Sequence, residues 1–270
     1  MLGLIALAAT PAWSAPSPGD LDPLLAGGVA QTSMAQRIEQ ITRPFLGAPY
    51  VLSPLGEGEG KDPDPRLRLD AFDCTTFVET AIAMAAARNA SELNDILDAV
   101  RYRGKQASFG ARRHLIDAQW VPDLIAAGIL QDVTAEIGRD RTIAEKFILT
   151  HDRWKNRRVA RDLELPFRAV PIGAYTVEWI PLDAIASLDI PPGVIMNVVR
   201  EDVPWSPTRV SHQALVLKDP VTGKLIVRQA SPVLKRVMDE PIERFVNRYM
   251  HPKVEKKWRP VGVSFFKIKG

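Results

Sequence analysis

A single cysteine in 270 residues leaves no partner for an internal disulfide and rules out a thiolate zinc cluster. Histidines number four, and none is paired with a second ligand at metal-binding spacing, so neither a metal nor a cofactor is expected. Charge of one sign is also scarce. Lys plus Arg total 35 against 32 Asp plus Glu, a formal charge of +3, and apart from Arg112-Arg113 and Arg157-Arg158 the basic residues are scattered, which argues against nucleic acid as a partner. No apolar run approaches the ~20 residues of a transmembrane helix. Internal repeats and low-complexity stretches are absent too. What is present is a 46% hydrophobic composition, sufficient to build a core in a chain long enough for one large domain or two small ones.

The N-terminus reads as a leader. Leu2 to Ala9 is apolar and Ala12-Trp13-Ser14-Ala15 follows, so cleavage after Ser14 would leave small residues at the two positions a signal peptidase reads. No Lys or Arg precedes the run. The expected organisation is a signal peptide over residues 1–14, a Pro- and Gly-rich linker over 15–31 and one domain over 32–270. That implies a periplasmic or secreted protein, in which an unpaired cysteine is a liability unless it is buried or kept for chemistry.

The cysteine lies in Leu69-Asp70-Ala71-Phe72-Asp73-Cys74-Thr75-Thr76-Phe77-Val78-Glu79, between an irregular segment and a helical pattern. Phe77, Val78, Ala81, Ile82 and Ala85 repeat at the spacing of one apolar helix face, which puts Cys74 near a helix start with Asp73 as N-cap. There the helix dipole and unpaired backbone N–H groups favour thiolate over thiol. By residue type alone a lone cysteine is more often a buried small hydrophobe.

Further along, Met34, Ile38 and Ile41 predict a helix ending before Pro44, and the Gly- and Pro-rich stretch from Ser53 to Arg66 predicts a surface loop leading to the cysteine. Helices are also expected over Ser91 to Val100, over Trp120 to Ala127 with Gly128 as C-cap, and over Thr142 to Thr150. Strand signals follow at 175–180, 194–199, 210–217, 225–229 and 261–268, and Asp219 to Lys224 joins two of them as a hairpin. Helices followed by antiparallel strands make an α+β fold.

A cysteine nucleophile needs a base, and the base an orienting group. Of the four histidines, His114, His151 and His251 fall in loops or at helix ends, whereas His212 opens a strand. The hairpin returns Gln229 beside it, where the amide oxygen could accept a hydrogen bond from one ring nitrogen and leave the other for the thiol. Each residue alone is more often structural.

Taken in order, Pro49-Tyr50-Val51, Phe72 to Glu79, Ser211-His212 before a strand and Gln229-Ala230-Ser231 resemble the NlpC-type papain-like cell-wall cysteine peptidases. Arg101-Tyr102-Arg103-Gly104 and Arg113-His114 with Trp120 are similar to further signatures of one branch, the N-acetylmuramoyl-L-alanine amidase-like proteins. The resemblance spans Leu46 to about Ser231. It implies a papain-like fold, with N-terminal helices carrying the cysteine packed on an antiparallel sheet and a helical insertion. Cys74 corresponds to the nucleophile, His212 to the base and Gln229 to the third polar residue. Tyr50, Asp73, Thr75, Arg113 and His114 fall at positions implied to line the substrate site. Gln229 stands where the branch usually has His, and Gly193-Val194-Ile195 where it has Gly-Asp-Ile.

The implied activity is hydrolysis of a peptidoglycan amide through a Cys-His-Gln triad and a thioester, with peptidoglycan or a muropeptide as the partner. An acyl transferase on the same fold and an inactive cell-wall peptide-binding module stay open.

Overall fold

A computed structural model describes residues 13–31, 33–104, 106–155, 170–252 and 257–269. Helices α1 (Pro18–Val29), α2 (Met34–Thr42), α3 (Cys74–Ala86) and α4 (Ala90–Arg101) come first. Short helices α5 (Val121–Ala126), α6 (Thr134–Gly138) and α7 (His151–Lys155) are interspersed with strands β1 (Leu130–Asp132) and β2 (Ile143–Leu149). Then follow β3 (Gly173–Pro181), β4 (Val194–Arg200), β5 (Val210–Lys218), β6 (Leu225–Ser231), β7 (Arg236–Pro241), helix α8 (Ile242–Met250) and β8 (Pro260–Ile268). The strands form one antiparallel sheet in the order β2-β3-β8-β4-β5-β6-β7, with β1 also on β8. This is the expected α+β architecture.

Side-chain alternation along the strands divides the core in two. On one face Ile195, Leu215, Leu217 and Ala230 pack with Phe77, Val78, Ala81 and Ile82 of α3. On the other Val194, Ala214, Val216 and Val227 pack with Phe245 and Val246 of α8. Helix α3 is apolar nearly all round and is buried from Thr76 to Ala85, each large side chain contributing about 1.5–3 kcal/mol. Val194, in place of the branch's usual Asp, is 2% exposed on a central strand, where an unpaired carboxylate would be costly.

Three expectations about local structure need correction. The stretch expected as linker holds α1, because Asp20 accepts the Ser17 N–H at 2.8 Å and Leu21 and Leu25 bury against the first core. The helix expected over Thr142 to Thr150 is strand β2, paired with β3 from Ile143↔Trp179 to Leu149↔Gly173. Its apolar spacing fits either period, and pairing with β3 decides. The α4 cap is Asn89, which accepts the Glu92 N–H at 3.1 Å, not Ser91. Gly128 follows α5 at φ 72°, as a C-cap glycine should. Of the expected leader, residues 1–12 lie outside the described residues, and the Trp13 indole donates to the Pro44 carbonyl at 2.9 Å.

Candidate active site

Asp73 caps α3 through a reciprocal pair of bonds. Its carboxylate accepts the Thr76 N–H and hydroxyl, both at 2.8 Å, while its own N–H donates to the Thr76 hydroxyl at 2.9 Å. The other carboxylate oxygen accepts the Ser53 N–H at 2.9 Å and so ties the preceding loop to the helix start.

Cys74 is therefore the first helical residue, and its thiol reaches the sheet. The β5–β6 ladder runs from Lys218↔Leu225 to Leu215↔Arg228 and stops, although both strands continue. In the gap beyond it, the Cys74 thiol accepts a hydrogen bond from the Gln213 backbone N–H, as well as from the Thr75 hydroxyl and N–H. Those three donors favour the thiolate, but burial, and after it the Asp73 carboxylate, push the thiol up to about 11. The expected low-pKa thiol is thus overturned for the resting site. Cys74 as a residue keeps some exposure, but its sulfur lies deep.

His212 precedes the thiol's donor in the chain and points to the α8 face of the sheet, in phase with Ala214 and Val216. Its Nε2 lies 2.6 Å from Gln229 Oε1, and Gln229 Nε2 donates in turn to Glu240 Oε1. Glu240, 3% exposed, is clasped by Arg248 at 2.6 and 2.7 Å. Two tyrosines lie within electrostatic reach of the thiol. Burial first, then the charges of Cys74 and Asp73, raises Tyr50 to about 12. Tyr249 lies well above the usual range, raised chiefly by burial and further by Cys74 and Glu240 against the pull of Arg248. The Tyr249 ring lies 6.4 Å from that of His212.

A cleft of about 650 Å³ opens at His212. Arg244, Asn247, Arg248 and His251 line it at the i, i+3, i+4, i+7 spacing of one helix face, opposite Pro232, Val233 and Leu234. A larger hollow of about 950 Å³ beside α2 shares no residue with this cleft.

Thr75 touches the thiol, and Asp73 and Tyr50 act on it electrostatically. Arg113 and His114 have other partners. Arg113 pairs with Asp123 at 3.0 Å and donates to the Ala99 and Val100 carbonyls, closing the end of α4. His114 bonds the Phe109 carbonyl at 2.7 Å, and burial lowers it to about 4, so at neutral pH it offers a hydrogen bond but no charge. Of the remaining signature residues, Arg103 pairs with Asp123 at the surface, and Arg101, Tyr102 and Trp120 join Glu79 in one buried network. Glu79, raised to about 6 by burial, lies 3.3 Å from Arg101 and accepts the Trp120 indole at 3.1 Å. Arg101 and Tyr102 then hold the Leu55 and Gly56 carbonyls at 3.0–3.3 Å, fixing the loop before the cysteine.

Comparison with known proteins places the chain in a family. The family model for AmiA-like, N-acetylmuramoyl-L-alanine amidase-like proteins matches residues 40–251. The chain belongs to that family. No curated protein matches this AmiA-like chain. Among solved structures it is similar to a Legionella pneumophila protein, with 22% identity, 94% of each chain covered and a TM-score of 0.77. An N-acetylmuramoyl-L-alanine amidase from Bacteroides uniformis follows, with 20% identity, 93% of this chain and 100% of that one covered and a TM-score of 0.62. A candidate xylanase from Bacteroides fragilis is 21% identical over 83% of this chain and 97% of its own, with a TM-score of 0.61. At such identities the likeness fixes the fold and no activity.

The sequence reading missed Glu240, Arg248 and Tyr249. It assigned no element to 236–250, and only the register Val227↔Glu240 brings that carboxylate onto the face of Gln229. Among the described residues no helix is long and apolar enough to cross a membrane.

Proposed function

We propose that this AmiA-like protein is an exported cysteine hydrolase of the NlpC-type papain-like class that cleaves an amide bond of peptidoglycan. The bond joins the muramyl sugar to its stem peptide or lies within the stem. The observation that carries the reading is the placement of the Cys74 thiol on the Gln213 N–H, one residue from an imidazole held by Gln229.

With the thiol at about 11, only on the order of one site in ten thousand holds a free thiolate at pH 7. Attack therefore proceeds with proton transfer. His212 takes the thiol proton as sulfur bonds to the substrate carbonyl carbon, and the Cys74 N–H at the start of α3 stabilises the oxyanion. The imidazolium then protonates the leaving amine, a thioester remains on Cys74, and water activated by His212 releases the acid. The cleft suits the substrate, since stem peptides carry free carboxylates and the lining offers the Arg244 guanidinium with no acidic side chain among the described residues.

Digestion of purified cell wall followed by mass spectrometry of the released fragments tests the reading and names the bond. Wild-type protein should release fragments and Cys74→Ala none. Binding without release would make the protein a cell-wall binding module, and products joined to an added amine would make it a transferase. Export is tested by N-terminal sequencing of protein recovered outside the cytoplasm, which should begin at or near Ala15. Intact Met1 found solely in the cytosol would refute it.

A further inference from the structure

We propose that Glu240, held by Arg248, is a positioning residue for His212 that fixes the imidazole tautomer through Gln229 and supplies the negative charge a glutamine lacks. The inference rests on the hydrolase reading for its consequence but not for its geometry. Gln229 is 1% exposed, and its amide could by itself face His212 with either end. Glu240 removes that freedom. Its carboxylate is an acceptor, so the Gln229 NH2 turns to it and the amide oxygen must face His212. Nε2 of His212 is then the protonated nitrogen and Nδ1 carries the lone pair needed to take a proton from sulfur.

The arrangement follows from strand parity. His212, Gln229 and Glu240 lie on three successive strands, β5, β6 and β7, on the face that α8 covers, with Val216, Val227 and Glu240 in register across them. Arg248 comes from α8 and grips both carboxylate oxygens, with its guanidinium 5.2 and 5.8 Å from the rings of Phe245 and Tyr249. A carboxylate buried to this degree is costly unless paired, and the clasp supplies the pair. When His212 becomes a cation, Glu240 lies one amide away from it, and the polarised Gln229 transmits part of its attraction. Among the described residues, other charged or titratable groups near the imidazole include Tyr249 from α8 and Arg244 and His251 along the cleft, with the Cys74 thiol on the adjacent Gln213 N–H.

The test uses the full chain labelled with 15N at histidine, comparing wild type, Glu240→Gln and the double variant Glu240→Leu with Arg248→Leu. The double variant removes the ion pair without stranding either charge and so guards against failure to fold. Wild type should show His212 as the Nε2–H tautomer. Glu240→Gln should keep that tautomer, because the new amide can still accept from Gln229, but move the His212 titration and the acid limb of the rate profile to lower pH by about 0.5–1 unit. At pH 7 its kcat should fall about three- to tenfold with KM little changed. The double variant should show a mixed tautomer as Gln229 becomes free to turn. An unmoved titration in Glu240→Gln, or a pure Nε2–H tautomer with full rate in the double variant, would overturn the inference and leave Glu240–Arg248 a structural ion pair. If wild type cuts no cell wall yet the tautomer and titration behave as stated, the hydrolase reading fails and the positioning role stands.

Discussion

Replacing Asp73 with Asn separates two roles that this carboxylate combines. As a cap it accepts the Thr76 N–H and hydroxyl on one oxygen and the Ser53 N–H on the other. As a charge it is the second largest cause, after burial, of the elevated Cys74 thiol. Asparagine caps helices as well as aspartate does, so the Thr76 bonds survive. Its NH2, however, would meet the Ser53 N–H, donor against donor, at a cost of about 1–2 kcal/mol. The thiol should respond in the opposite sense. Removing one like charge a few ångströms away, at an effective dielectric of about 40, eases ionisation by roughly tenfold. Thiolate nucleophilicity falls with basicity at a Brønsted slope of ~0.4–0.5, so the net gain in alkylation rate is about threefold. Iodoacetamide labelling followed across pH 7–10, beside urea denaturation of the same samples, reads both quantities. A less stable but more reactive variant fits the geometry. A less stable variant whose thiol labels no faster would show that Asp73 does not act on the sulfur, and the account of the raised thiol would fall.

Cys74→Ala should abolish fragment release and change stability by no more than about 1–2 kcal/mol, because the change removes one small buried atom and leaves the Asp73 cap in place; full activity would end the mechanism. Gln229→Ala should slow turnover about ten- to a hundredfold, or ~1.4–2.7 kcal/mol of transition-state stabilisation, and Gln229→His should stay near wild type, since an imidazole can donate to Glu240 and accept from His212; an unchanged rate in Gln229→Ala would remove the residue from the triad. His114 has a folded value of about 4 against an ordinary 6.5, so as pH falls the unfolded chain takes the proton first. Its contribution is complete above pH 6.5 and lost on the way to pH 4. Between pH 7 and 5 wild type should lose about 1–2 kcal/mol more than His114→Gln by urea denaturation, and equal losses would contradict the buried neutral imidazole.

The sequence was most informative where local chemistry and tertiary demand coincide. The α3 stripe, its Asp73 cap and the strand that carries His212 can be read directly, because periodicity and capping are properties of neighbours in the chain. Helix α1 was obscured by glycine and proline that its packing tolerates, and β2 by an apolar spacing compatible with either period. Glu240 and Arg248 were out of reach for a different reason. Their meeting with Gln229 depends on the register of β7 and on where α8 crosses the sheet, which no local pattern states. The signature residues Glu79, Arg101, Tyr102 and Trp120 could be read as markers, but their common work, holding one loop, is visible only in three dimensions.

The gap between β5 and β6 also bears on when the protein becomes reactive. Cys74 and His212 come from distant halves of the chain, and the thiol reaches the Gln213 N–H where two strands leave their ladder unfinished. Contacts that far apart in sequence close late, after the local helices have formed and the sheet has assembled. A newly made chain therefore carries an open thiol, without the burial and the Gln213 N–H that the finished sheet supplies, for as long as β5 and β6 are unformed. The Cys74 thiol rises to about 11 only when the finished sheet buries it, so an unfinished or unfolded copy exposes the more readily ionised sulfur and folding is what guards it.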